Sequence, residues 1–195
     1  MNDSDFWEFA DVDDLWLFDR LILSKKLKYN CGPAGVLPKQ EGRYIVRPCV
    51  NYRMMAKGAR FMHLNNKNDF IPDGFFWCEI FTGRHLSFDF HYGKQVLAVE
   101  SIRENEDLSR FVYRKKVTDK FQLPDFLKPI STKYEWLNVK VIGDKIIEVH
   151  LRYDDGFYGH DYNIIVPIWK EENIDKSKKY YINACEERLG FYLIK

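Results

Sequence analysis

Cysteine is scarce in this sequence, long apolar runs are missing, and the charges of the two signs almost cancel. The 195 residues include four widely separated cysteines and no Cys-x-x-Cys pair. This is too few for a disulfide scaffold, so we predict reduced thiols and a cytoplasmic location. The acidic start lacks the basic and then apolar pattern of a secretion signal, and no apolar run reaches the roughly 20 residues that span a membrane. With 30 basic and 29 acidic residues, we expect neither nucleic acid nor a membrane as a partner.

The sequence does contain enough apolar and aromatic side chains to bury a sizeable core. Hydrophobic residues make up 46% of the chain and aromatic residues 16%, which suits one large domain or two small lobes. Apolar residues recur near the helical period over 13–27, and the later apolar runs are β-rich, which predicts an α+β fold. We predict one compact unit over 1–195, with lobes at 13–103 and 104–195.

The run KIIEVHLR, residues 145–152, alternates in a way typical of a strand. Glu148, His150 and Arg152 should share one face, while Ile147, Val149 and Leu151 share the other and point into the core. The polar face is either the ordinary solvated side of a sheet or the floor of a binding site. With Asn138 across a hairpin, Glu148 could hold a hard divalent cation through oxygen ligands, although His150 is less suited to magnesium.

Two further stretches contain charged side chains that could bind a ligand. Arg47 ends a predicted strand and is followed by a basic turn with Lys57 and Gly58, a combination that could hold phosphate oxygens or form an exposed basic hairpin. Glu79 lies among apolar neighbours and needs a partner if it is buried. A ligand hydroxyl or a cation would supply one, or the side chain points outward.

Taken in order, four runs resemble elements of the ATP-grasp family, from its first helix to its closing hairpin. They are FDRLILSKKLKYNCGPAGVLP (18–38), IVRPCVNYRMMAKGA (45–59), CEIFTGRHLSFDF (78–90) and WLNVKVIGDKIIEVHLR (136–152). The order is more specific than any single run. The resemblance covers residues 14–152 and implies two small lobes with antiparallel sheets and a nucleotide cleft between them.

The resemblance implies ATP as a ligand. Arg20 and Arg47 stand where the family has its two nucleotide-binding lysines, and we predict that Lys57 and Glu79 also contact the nucleotide. The chain departs from the family here, because arginine and lysine differ in geometry and the loop around Lys57 has little glycine.

The resemblance also implies a Mg²⁺ or Mn²⁺ site formed by Glu148 with Asn138 and His150. Arg152 would contact the transferred phosphate or the carboxylate and is the predicted catalytic residue. Asn138 replaces an acid of the family pattern and His150 replaces an asparagine, so magnesium affinity should be weakened. The family's additional preceding domain has no room before the first helix, and we expect a partner protein to supply that part.

Three hypotheses on function remain open at this point. In the first, the protein is an ATP-dependent ligase that phosphorylates a small carboxylate and lets an amine or similar nucleophile attack the acylphosphate. In the second, the fold binds a nucleotide without turnover. In the third, the chain is an α+β protein-interaction module with an aromatic surface.

Overall fold

The computed structural model has two antiparallel sheets and several short helices. The structure describes residues 4–51, 56–65, 69–103, 108, 110–154, 156–157, 161–170, 174–185 and 187–195. Helices are α1 (Ser4–Trp7), a 3₁₀ helix (Val12–Phe18), α2 (Arg20–Lys26) and α3 (Lys128–Lys133). No helix among these residues is long and apolar enough to cross a membrane.

The smaller sheet has four strands in the order β1-β4-β2-β3. They are β1 (Cys31–Pro33), β2 (Gly42–Pro48), β3 (Arg60–Leu64) and β4 (Phe75–Cys78). The larger sheet has eight strands in the order β11-β12-β10-β7-β6-β5-β8-β9. They are β5 (His85–His91), β6 (Lys94–Ile102), β7 (Tyr113–Lys116), β8 (Trp136–Ile142), β9 (Lys145–His150), β10 (Ile164–Trp169), β11 (Tyr180–Cys185) and β12 (Arg188–Ile194). The predicted α+β fold with antiparallel sheets is confirmed.

The helical stretch predicted over 13–27 is two helices that meet at Asp19. The Asp19 carboxylate accepts hydrogen bonds from the backbone N–H groups of Leu21 (2.8 Å) and Ile22 (3.1 Å). Such an N-cap satisfies donors that the first turn of a helix leaves unpaired. Helix α2 therefore begins at Arg20, and this first residue is buried.

The chain crosses from the smaller to the larger sheet in the hinge segment, residues 79–84. Strands β5 and β6 pair with β8 and β7 in the larger sheet. The predicted lobe 13–103 thus contains strands of both sheets, and the change of sheet lies before His85 rather than after Arg103. The division of the chain into lobes stays a prediction.

The main core lies on one face of the larger sheet. Alternate residues of β5 and β8 enter it, including Phe88, Leu137 and Val139, which are at most 1% exposed. Full burial of one such side chain contributes about 1.5–3 kcal/mol relative to leaving it exposed. The opposite face of the same strands carries the polar side chains, because successive residues of a strand point to opposite sides.

A β-bulge in β9 changes the predicted alternation of this strand. Lys140 pairs with Glu148, but the next pair is Val141 with Ile146, so Ile147 is an extra residue. The prediction that Ile147 points into the core is wrong, because Ile147 faces the other side together with Glu148. Val149 is buried in the core as predicted.

Candidate functional site

A cleft of about 190 Å³ lies between the two sheets. The lining includes five of the eight residues predicted from the sequence: Arg20, Arg47, Glu79, Glu148 and Arg152. Their side chains come from α2, β2, the hinge segment, and β9 with the residues after it. The other three predicted residues, Lys57, Asn138 and His150, do not line the cleft.

Glu148 sits at the floor of the cleft and is paired with cations. Arg20 Nη2 lies 2.7 Å from Glu148 Oε1, and the Arg20 and Glu148 side chains are only 5% and 12% exposed. Lys140, the cross-strand neighbour on β8, has its Nζ 3.5 Å from Oε2. Burial alone would raise the pKa of Glu148, but the charges of Arg20 and Lys140 outweigh it and hold the pKa well below its ordinary value. Glu148 is therefore an ionised carboxylate at neutral pH.

Arg47 is a buried cation on β2. Within the described part of the chain its Nε is buried without a hydrogen-bond partner, and its guanidinium carbon lies 5.2 Å from the ring centre of Phe76. Burial and then the charge of Arg20 lower the pKa of Arg47 to about 10. The side chain stays charged at neutral pH, and its charge is poorly compensated.

Asn138 and His150 face each other across β8 and β9 on the same side of the sheet as Glu148, but they do not line the cleft. Asn138 is fully buried and its amide nitrogen donates to Ser87 Oγ (2.7 Å) and Asp89 Oδ1 (2.6 Å). His150 is 2% exposed, and its Nε2 is 3.3 Å from Glu148 Oε2.

These contacts do not fit the divalent cation that the sequence predicted for Glu148, Asn138 and His150. Both Glu148 oxygens already face protein groups. Asn138 Oδ1 has no hydrogen-bond partner in the described part of the chain, but Asn138 and His150 are buried and do not line the cleft. Among the residues that the structure describes, no group of three or more His, Cys, Asp and Glu side chains could hold a metal ion.

Lys57 is held at the rim by an ion pair. Its Nζ lies 2.5 Å from Glu187 Oε1, and Arg110 Nη2 lies 3.2 Å from the other oxygen of the same carboxylate. We call Lys57, Arg110 and Glu187 the clasp, since they join the smaller sheet's β2–β3 connection to the larger sheet's β11–β12 turn. The structure thus places Lys57 beside the cleft, where it pairs with protein, instead of on its lining.

Glu79 is partly buried, and its side chain accepts a hydrogen bond from a backbone N–H group. Its Oε1 accepts a hydrogen bond from the Asn30 N–H at 2.7 Å, while the Glu79 N–H donates to the Asn30 carbonyl at 2.9 Å. The two bonds fix the start of the hinge segment against the connection between α2 and β1.

Comparison with solved structures identifies the architecture. The chain superposes on an ATP-grasp superfamily protein from Archaeoglobus fulgidus with a TM-score of 0.55 and 14% sequence identity, covering 92% of this chain and 65% of that one. The chain has an ATP-grasp-like fold. It spans about two thirds of the length of that structure. The predicted resemblance is thereby confirmed for the fold.

Other ATP-grasp proteins superpose less closely. The ATP-grasp ligase PsnB, complexed with a minimal precursor, has a TM-score of 0.43 at 14% identity, over 75% of this chain and 55% of that chain. The D-alanine–D-alanine ligase from Bacillus anthracis has a TM-score of 0.39 at 12% identity, over 69% of this chain and 56% of that chain. No family model and no curated protein sequence matches this chain.

The ATP-grasp-like cleft also contains polar residues that the sequence analysis missed. Asp154 accepts hydrogen bonds from both terminal nitrogens of Arg114 and from Ser87 Oγ at 3.4 Å. Its own N–H donates to Asp89 Oδ2 at 3.0 Å. Burial and the charge of Asp154 raise the pKa of Asp89, whereas Arg114 outweighs burial and keeps the pKa of Asp154 low. The network fixes the chain directly after Arg152.

A signal for this network was present in HLSFDF, residues 85–90. Ser87 and Asp89 alternate with core residues there, and both point to the cleft side of β5. Their partners could not be found in the same way, because Arg114 and Asp154 lie on distant parts of the chain.

The walls of the ATP-grasp-like cleft combine apolar and cationic surfaces. Apolar side chains line it from the hinge segment and the strands around it: Ile45, Phe61, Ile80, Phe81, Phe111, Ile142 and Ile147. Further cationic residues line it as well: Arg103, Arg114, Lys140 and Arg188. Burial, with the charges of Arg103 and Lys140, lowers the pKa of His85, so its imidazole is neutral at pH 7. The cleft suits a ligand with a flat apolar part and several negative charges.

Proposed function

We propose that the protein binds a nucleoside triphosphate, with ATP as the first candidate, in the cleft between its two sheets. The observation that supports this most directly is Arg47, whose buried Nε has no hydrogen-bond partner in the described part of the chain. A buried charge is costly unless it is paired. A phosphate group would pair it, because the guanidinium fork matches phosphate oxygens.

The neighbouring side chains support the same ligand. Arg20, Lys140 and Arg152 line the same cleft as Arg47 and could share the charge of three phosphates. Ile80 and Phe81 in the hinge segment would cover the base. A hydrogen bond to a charged group contributes about 1.5–3 kcal/mol, so the loss of one should weaken binding roughly 10- to 150-fold.

Isothermal titration calorimetry with ATP tests this proposal. Arg47→Met should weaken binding by the factor given above. Arg43→Met is the matched control, because Arg43 is an exposed residue of the same strand and also lies over an aromatic ring, that of Phe61. Equal ATP affinity of Arg47→Met and the wild type would overturn the proposal.

A second candidate is an ATP-dependent carboxylate–amine ligase, and the position of Arg152 in the cleft favours it. A carboxylate oxygen would attack the γ-phosphorus while ADP leaves, and an amine would then attack the acyl carbon and displace phosphate. Arg152 would stabilise the charge that develops on the transferred group.

Release of ADP in the presence of small carboxylates and amines distinguishes this ligase from a protein that binds without turnover. ADP formation that requires both acceptors would support the ligase, and Arg152→Lys should then lower the rate about 100-fold or more with a smaller effect on ATP affinity. ATP binding without ADP formation would exclude the ligase for the acceptors tried. A chain that binds no nucleotide would instead favour the protein-interaction module.

A further inference from the structure

We propose that the cleft binds the metal-free nucleotide anion, with Arg20 and Lys140 taking the place that a divalent cation would have beside Glu148. This inference rests on the proposed function and adds the chemical form of its ligand. The ATP-grasp-like fold raises the expectation of a magnesium nucleotide, and the side chains at this position argue against it.

Both carboxylate oxygens of Glu148 already contact protein side chains. One carboxylate oxygen lies 2.7 Å from Arg20 Nη2. The other lies 3.3 Å from His150 Nε2 and 3.5 Å from Lys140 Nζ. Magnesium requires oxygen ligands at about 2.0–2.1 Å in octahedral geometry. A cation at either oxygen would have to displace Arg20 or come close to Lys140.

The charges that line the cleft are mostly positive. They are seven cations and three carboxylates, with a formal sum of four positive charges: Arg20, Arg47, Arg103, Arg114, Lys140, Arg152 and Arg188 against Glu79, Glu148 and Asp154. Such a cluster repels a divalent cation and attracts a polyanion.

Asn138 and His150 fit a magnesium ion in the cleft poorly. The amide nitrogen of Asn138 donates to Ser87 and Asp89. Its Oδ1 has no hydrogen-bond partner among the described residues, but the side chain is fully buried and does not line the cleft. His150 is 2% exposed, and imidazole suits transition metals better than magnesium. Neither side chain lines the cleft, so Glu148 is the only one of the three predicted ligands that an ion in the cleft would meet there.

In this inference the cations of the cleft neutralise the phosphates directly. The buried guanidinium of Arg47 supplies donors from the smaller sheet, while Arg20 and Lys140 supply positive charge from the side of Glu148. A magnesium nucleotide carries two fewer negative charges than the free nucleotide and should bind this cluster more weakly. Excess magnesium should therefore compete with the protein for ATP.

The experiment titrates the full chain with ATP in EDTA and, separately, in excess Mg²⁺ or Mn²⁺. Inorganic tripolyphosphate in EDTA serves as a second probe. We expect a dissociation constant for ATP in EDTA that is lower than in excess Mg²⁺ by about threefold or more. Lys140→Met should weaken ATP binding in EDTA. Lys145→Met is its matched control, because Lys145 is an exposed lysine of the same hairpin and does not line the cleft.

The outcomes separate this inference from the proposed function. ATP binding that requires Mg²⁺ or Mn²⁺, or that is tighter with either, would overturn the inference and leave nucleotide binding intact. Unchanged ATP affinity of Lys140→Met in EDTA would also overturn it. No binding of ATP or tripolyphosphate in any buffer would overturn both. The comparison of buffers needs only the wild type, so it decides the question even if Lys140→Met fails to fold.

Discussion

Replacing Arg47 by Met should make the ligand-free protein more stable. The guanidinium of Arg47 is buried, and its Nε lacks a hydrogen-bond partner in the described part of the chain. Met has an unbranched side chain of similar length that can still contact the ring of Phe76. The substitution removes the charge and the cost of burying it while much of the packing remains.

The size of the effect follows from the pKa of Arg47. Burial and then the charge of Arg20 lower the pKa from 12.5 to about 10, and one pKa unit corresponds to about 1.4 kcal/mol. The folded state thus carries a cost of about 3 kcal/mol at every pH below 10, which is relieved only when the side chain loses its proton. Arg47 also loses its attraction to Glu148 in the variant, so we expect a gain of about 1–3 kcal/mol.

Urea denaturation at pH 7, without nucleotide, measures this gain. Arg43→Met serves as the control for removing an arginine from the exposed end of the same strand and should stay within about 0.5 kcal/mol of the wild type. If Arg47→Met lowers the free energy of unfolding, the reasoning is refuted and Arg47 is a structural residue. A variant that is more stable but binds ATP poorly would mean that the charge is kept for a ligand.

Three further predictions concern the stability of the folded protein. Glu148→Gln leaves the Arg20 guanidinium without its carboxylate and should lower the free energy of unfolding by about 3–5 kcal/mol; a loss below about 1 kcal/mol in urea denaturation would contradict the pairing. Burial and the charge of Asp154 raise the pKa of Asp89 to about 7, so the folded state takes up a proton between pH 7 and about 4 that the unfolded chain does not. The stability of the wild type relative to Asp89→Asn should therefore rise as the pH falls through that window, and equal differences at pH 7.5 and pH 5 would disprove this. Gly190→Ala would bring a Cβ into the backbone carbonyl oxygen of Tyr181 and should cost about 1–3 kcal/mol, seen as a lower melting temperature; an unchanged value would speak against this close approach.

The sequence allowed prediction of what depends on local pattern. The alternation over 145–152 predicted a strand with Glu148 and Arg152 on a polar face, and both line the cleft. The order of four runs along the chain led to the ATP-grasp-like fold and to Arg20 and Arg47. The strand and its polar face depend on the periodicity of side chains along a single element, which the sequence shows directly, whereas the fold, Arg20 and Arg47 were implied by the family resemblance.

Features that depend on pairing between distant residues were not predictable. Nothing near Glu148 in the sequence indicates that Arg20 pairs with it or that Lys140 faces it across the hairpin. The extra residue at Ile147 depends on the register with β8, which neither strand shows alone. The basic turn around Lys57 predicted a phosphate ligand. Its actual partner, Glu187, is distant in the sequence and lies beside Lys57 only in the folded chain.

The clasp implies that the ionic strength of the solution controls how long a ligand stays in the cleft. Glu187 is 47% exposed and its partners Lys57 and Arg110 are 27% and 38% exposed. Ion pairs this exposed are worth about 1 kcal/mol or less, and salt screens them. The connection between the two sheets at this rim should therefore open often, and the dissociation rate of a bound nucleotide should increase with salt.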